Sequence, residues 1–115
     1  MHKAQQVSLP MYDFPEIRAA TDAWWLGIAH HFQQSGVDAS PENLLHDQAV
    51  RDLWTDENLL LSQCCGFDVA FGYRDVLSVL VTPVYAVEGC ADGHYVSRVV
   101  VHEDSGLHDL SLIHI

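Results

Sequence analysis

Leu59-Leu60-Leu61-Ser62-Gln63-Cys64-Cys65-Gly66-Phe67-Asp68 is the stretch that decides the fold class. An apolar run stops at small polar residues and a glycine, and helix-like spacing begins behind it. A buried strand that ends at the start of a helix reads this way in an α/β sheet. Past such an end, backbone N–H groups and the positive end of the helix dipole face whatever lies beyond the strand. A second junction, Ser8-Leu9-Pro10-Met11-Tyr12-Asp13, has the same character. Two such ends on one edge of a sheet would form a ligand site.

Outward from these junctions, residues 7–11 read as a short strand. Asp13 and Glu16 stand three apart, the spacing of a capping box, and Pro15 suits a first helical turn. Ile17, Ala20, Trp24, Ile28 and Phe32 recur at helical spacing, and Gly36 is placed to end that helix. Residues 37–42 read as a loop, 43–46 as a short strand and 48–54 as a helix. A strand over 59–62 and a short helix over 66–73 follow. Residues 76–84 and 95–102 are rich in β-branched side chains and read as strands, separated by a loop with Gly89 and Gly93; residues 103–106 turn the chain. The resulting order, β-α-β-α-β-α-β-β, predicts an α/β fold with a largely parallel sheet flanked by helices.

With 115 residues the chain has room for one domain with a real core, and 49% hydrophobic residues favour a folded chain over disorder. A net charge of −11 disfavours nucleic acid and anionic membrane surfaces as partners. It leaves room for a small anionic ligand, because helix N-termini bind anions locally. No run of about 18 apolar residues is present to span a membrane. Met1-His2-Lys3-Ala4-Gln5-Gln6 leads into the first strand without the apolar segment of a secretory signal. Three cysteines, two of them adjacent, do not read as a disulfide framework.

Several constellations admit two chemistries. Tyr12 can stack on or hydrogen-bond a ligand, and Ser62 and Gln63 offer neutral donors to an oxyanion; the same residues also suit the closing of a sheet edge. Asp13 is assigned to helix capping. Cys64 or Cys65, on a strand-to-helix turn, is placed like the nucleophile of a cytoplasmic thiol enzyme, with His30, His31, His46 and His94 as candidate bases. Cys64, Cys65, Cys90 and His94 supply the ligand types of a zinc site, but adjacent cysteines lack the gap of zinc knuckles. Of Trp24 and Trp25, one should be core, since neighbours on a helix face different ways. No phosphate loop of the P-loop or dinucleotide type is present.

Ser8-Leu9-Pro10-Met11-Tyr12-Asp13, Leu59–Gly66, Thr82-Pro83-Val84-Tyr85 and Val99-Val100-Val101-His102-Glu103-Asp104-Ser105 together resemble the phosphate/phosphite/phosphonate substrate-binding proteins of ABC transporters. The resemblance spans residues 7–110 and implies the first lobe of a type 2 periplasmic binding fold. Residues 1–6 would be an N-terminal extension, 7–94 the first α/β lobe, and 95–110 the crossover strand and start of a second lobe. Residues 111–115 read as a non-native tail, so the chain is expected to be a C-terminally truncated fragment. The resemblance implies a binding module, not an enzyme, without a cofactor. Its ligand contacts would be Tyr12, Ser62, Gln63, Cys64, Thr82 and Tyr85. Its partners would be a small oxyanion and a transporter permease, with the full-length protein monomeric and periplasmic. The missing signal segment fits the cytoplasm as well, and a stand-alone ligand-sensing domain is the third reading.

Overall fold

β1 (Gln6–Val7) and β2 (Leu59–Leu61) pair in parallel, and this two-stranded sheet carries the first core of the molecule. The computed structural model describes residues 4–39, 41–91 and 93–109. Gln6 lies opposite Leu59 and Val7 opposite Leu61, with an irregularity between them. Gln6 N donates to Asn58 O at 2.9 Å and Ser8 N to Leu61 O at 3.1 Å. A parallel pair needs a long crossover, and here it contains α1 (Arg18–Gln34) and α2 (Val50–Trp54). Behind β2 the chain enters α3 (Gly66–Asp68), which runs on into a π-helical turn over Val69–Tyr73. Among the described residues the architecture is α/β, with a parallel sheet of two strands.

The core forms where the apolar face of α1 meets β1. Val7, Leu9, Trp25, Ala29, Ala39 and Leu44 are buried, with Ile28, Phe32, Leu60 and Leu61 packed against them. The face of α1 differs from the expected one. Thr21, Trp25 and Ala29 are its buried positions, whereas Ile17 and Trp24 are each 43% exposed. Of the tryptophan pair, Trp25 is the core residue. Its indole N–H donates to Pro41 O at 2.9 Å, so the polar edge is satisfied only in this rotation of the helix. Gly36 ends the helix as expected, at φ +80°.

The Asp13–Glu16 capping box is not formed. Pro15–Ile17 is a 3₁₀ turn with Phe14 in the capping position, and no side chain caps it or α1. Asp13 is drawn instead to cationic partners, described below, which bind a carboxylate more strongly than a backbone N–H does. The first strand is shorter than 7–11 and starts one residue earlier, because Pro10 opens a 3₁₀ turn over Pro10–Tyr12. Residues 43–46 make one ladder-like bond, from Leu45 N to Val7 O at 2.8 Å, and form no strand.

The chain divides into two compact units, Met1–Ser78 and Val79–Ile115, so the division falls inside the expected 7–94 lobe. The expected strands over 76–84 and 95–102 are not formed. β-branched composition favours an extended chain, but a strand also needs a partner for its backbone groups. In the second unit Val79, Leu80, Val81, Val99 and Val100 are exposed, and among its described residues the regular elements are limited to a 3₁₀ turn at Glu103–Ser105. Gly89 stands at φ +85° with Val96 packed against it: a Cβ there would lie 2.7 Å from Val96 Cγ1. The expected tail at 111–115, like Leu110 and Met1 to Lys3, lies outside the described residues.

Candidate functional site

The parallel pairing sends both strands out on one edge, so the two junctions singled out in the sequence become neighbours. Ser8 Oγ and Ser62 Oγ are hydrogen-bonded at 2.8 Å, and Met11 N donates to Gln63 Oε1 at 3.2 Å. Trp54 Nε1 also donates to Ser62 Oγ, at 3.1 Å. The Ser62 hydroxyl is therefore built into an internal chain, Trp54–Ser62–Ser8, with Ser8 fully buried. The bond from Met11 fixes the Gln63 amide with its oxygen inward, which turns the NH₂ donors away from that contact. Tyr12 is 49% exposed beside this junction.

Cys65 occupies the N-cap of α3, with extended backbone angles. Its sulfur accepts from Asp68 N at 3.4 Å while the thiol donates to Asp68 Oδ2 at 3.0 Å. Cys65 thus caps the turn through its sulfur, and Asp68 takes the thiol hydrogen instead of the backbone N–H that a capping box would use. Cys64 is half-buried, and burial is the main reason its thiol titrates above the ordinary cysteine value; the charges of Asp68 and Cys65 add to the effect. The thiolate is the nucleophile, so this direction works against chemistry at Cys64. Cys64 is expected to react with iodoacetamide at neutral pH more slowly than a free thiol. Fast alkylation of Cys64, read by peptide mass spectrometry, would restore the thiol-enzyme reading.

Thr82 and Tyr85 belong to the second unit, the former exposed and the latter half-buried in irregular chain. Tyr12, Ser62, Gln63 and Cys64 are thus gathered around one strand-end junction, and Thr82 and Tyr85 are not part of the unit that carries it. Among the described residues no three His, Cys, Asp or Glu side chains come together as a metal site. None of their helices is long and apolar enough to cross a membrane.

One cluster escaped the sequence altogether. His46 Nδ1 lies 2.6 Å from Asp13 Oδ2 and its Nε2 lies 2.9 Å from Asp22 Oδ1. An ionised carboxylate only accepts, so holding both contacts requires an imidazolium with two N–H donors. The hydrogen bond to Asp13 is the main cause that raises the His46 pKa above 6.5, with Asp22 adding to it and burial opposing it. Arg18 Nη2 bonds Asp47 Oδ1 at 2.5 Å, and Asp47 is held at φ +59°, a conformation that aspartate tolerates better than most residues. Arg18 Nε and Asp13 Oδ1 face each other at 3.7 Å, both buried and without a hydrogen bond. An open depression of about 210 Å³ lies here, lined by Ser8, Pro10, Asp13, Leu45, Asp47 and Leu53 among others. Tyr12, Ser62, Gln63 and Cys64 do not line it. Because both nitrogens of His46 are engaged by carboxylates, this ring is not free to serve as a cysteine's base.

The fold class that these elements define is α/β. No family model, curated protein or solved structure matches the chain. The resemblance to phosphate- and phosphonate-binding proteins therefore rests on the quoted motifs alone.

Proposed function

We propose that this chain is a solute-binding module for a small oxyanion of the phosphate, phosphite or phosphonate type, built as the first lobe of a type 2 periplasmic binding fold. One observation carries the reading: parallel pairing of β1 and β2, clamped by the Met11–Gln63 bond, brings the 8–13 and 62–66 junctions to a common edge. Ligands of open α/β sheets sit at such carboxyl ends. Tyr12 and the Gln63 NH₂ supply neutral donors there, suited to an anion that would be repelled by bare carboxylates. The nearest acid in sequence, Asp13, is balanced by His46 and Arg18 and does not present an open negative charge.

In this reading a second lobe closes over the ligand, and a membrane permease recognises the closed form. The protein acts in the periplasm and as a monomer.

Titration with inorganic phosphate, phosphite and methylphosphonate, followed by amide NMR shifts, tests the proposal. Saturable shifts centred on residues 62–66 and 12 are expected. Gln63→Ala should weaken binding about tenfold, the loss of one hydrogen bond to a charged acceptor at about 1.5 kcal/mol. Absence of saturable shifts at these residues up to ~10 mM of each anion, where even an affinity of about −4 kcal/mol would register, sinks it.

A further inference from the structure

We propose that the loop over residues 41–49 is held by a pH-operated latch, in which His46 is clamped between Asp13 and Asp22. The two carboxylates come from different places: Asp13 from the turn before α1, and Asp22 from the first turns of α1 itself. Both contacts are short; with His46 21% and Asp13 12% exposed, the Asp13 side of the clamp is shielded, while the Asp22 side stays open to water. What it fastens is well defined. Leu45, next in the chain, gives its N–H to Val7 O, Leu44 is buried in the core, and Pro41 O receives the Trp25 indole. Leu45 and Asp47 also form the loop's side of the depression beside Ser8 and Asp13.

The switch follows from proton counting. The imidazolium satisfies both carboxylates; the neutral ring has one N–H and must set a lone pair against the other carboxylate. The charged groups around the ring are Asp13, Asp22, Arg18, which shares Asp13, and Asp47, which Arg18 holds. Arginine keeps its charge at any working pH, so its pairing with Asp47 persists while the histidine titrates. Asp22 is the more exposed carboxylate, at 49% against 12% for Asp13, and Asp13 makes the shorter contact. Loss of the proton therefore breaks the Asp22 side first and leaves the ring on Asp13. A raised folded-state pKa stabilises the loop fully below pH 6.5, and that stabilisation fades as pH rises through the folded value. The loop is latched below pH 6.5 and loosened once the pH passes the raised folded-state value, whether or not an anion binds elsewhere.

Two measurements on the whole chain decide the matter. The His46 ring protons, followed by NMR, should titrate above pH 6.5. The Leu45 amide, followed by hydrogen exchange corrected for the intrinsic pH dependence, should lose protection over the same range. The loss is about tenfold for each pH unit between 6.5 and the observed midpoint. Asp22→Asn offers a side chain that can donate to a neutral ring, so its midpoint should fall toward 6.5 and the pH-dependent loss of Leu45 protection should shrink, the Asp13 contact keeping the remainder. His46→Gln, with no titrating group, should be flat with pH and guards against a folding defect in the first variant. A wild-type midpoint at or below 6.5, or a protection change that survives undiminished in His46→Gln, overturns the latch.

Discussion

Trp25→Ala is expected to cost the Met1–Ser78 unit a large share of its stability at room temperature. Trp25 is the largest side chain with no exposed surface, and it joins α1 to β1 and to the loop through Pro41. Truncating a buried tryptophan costs about 3–5 kcal/mol in lost contacts and residual cavity. The stranded Pro41 carbonyl adds to that unless water reaches it. A unit of this size is stable by roughly 4–12 kcal/mol, so the loss is a large share of the total. Urea unfolding followed by far-UV circular dichroism measures it. Trp24→Ala is the internal control: its side chain is 43% exposed and should cost far less. Equal losses from the two variants would mean that the helix face is assigned wrongly.

Ser62→Ala should be the second large effect, and out of proportion to the single oxygen removed. The hydroxyl lies between Trp54 Nε1 and Ser8 Oγ, so its loss leaves two buried polar groups without their partner. Each unpaired group costs about 1–3 kcal/mol. The double variant Ser8→Ala/Ser62→Ala removes one of those orphans and should be less destabilised than the sum of the single variants. Simple additivity in urea unfolding would show that the three side chains do not act as one chain. The test also separates two roles of Ser62, since Gln63→Ala should change anion binding with a smaller change in stability.

The strand–helix junction was legible because its signal is local. An apolar run, small residues and a glycine lie next to one another, and β2 and α3 begin within a residue or two of the places this pattern gives. The stop at Gly36 is local in the same sense. The face of α1 was not legible, because periodicity fits two adjacent stripes on this helix. The choice between Trp24 and Trp25 depends on a carbonyl at Pro41, sixteen residues away. The fate of Asp13 was hidden for a like reason. Its spacing to Glu16 suggests a cap, but the winning partner, His46, stands 33 residues on and carries no motif. Residues 76–84 and 95–102 show the opposite failure. Their composition specifies an extended chain, whereas strand formation depends on a paired neighbour that composition cannot supply. At the proposed site, sequence identified Tyr12, Gln63 and Cys64 as neighbours of the two strand ends, but it did not reveal that the hydroxyl of Ser62 is bonded inward.

The indole of Trp54, bonded to Ser62 at the strand-end junction, has an optical consequence. All three tryptophans of the chain lie in the Met1–Ser78 unit, in three unlike surroundings. Trp25 is fully enclosed, Trp24 is half in water, and Trp54 is nearly enclosed but bonded to a hydroxyl and edge-on to Tyr73 at 5.1 Å between ring centres. Their emission bands should accordingly separate, with Trp24 quenched first by iodide and Trp54 sensitive to whatever disturbs the serine pair. The molecule thus carries its own fluorophore at the junction where an anion is proposed to dock. The second unit has no indole at all and is silent in the same spectrum.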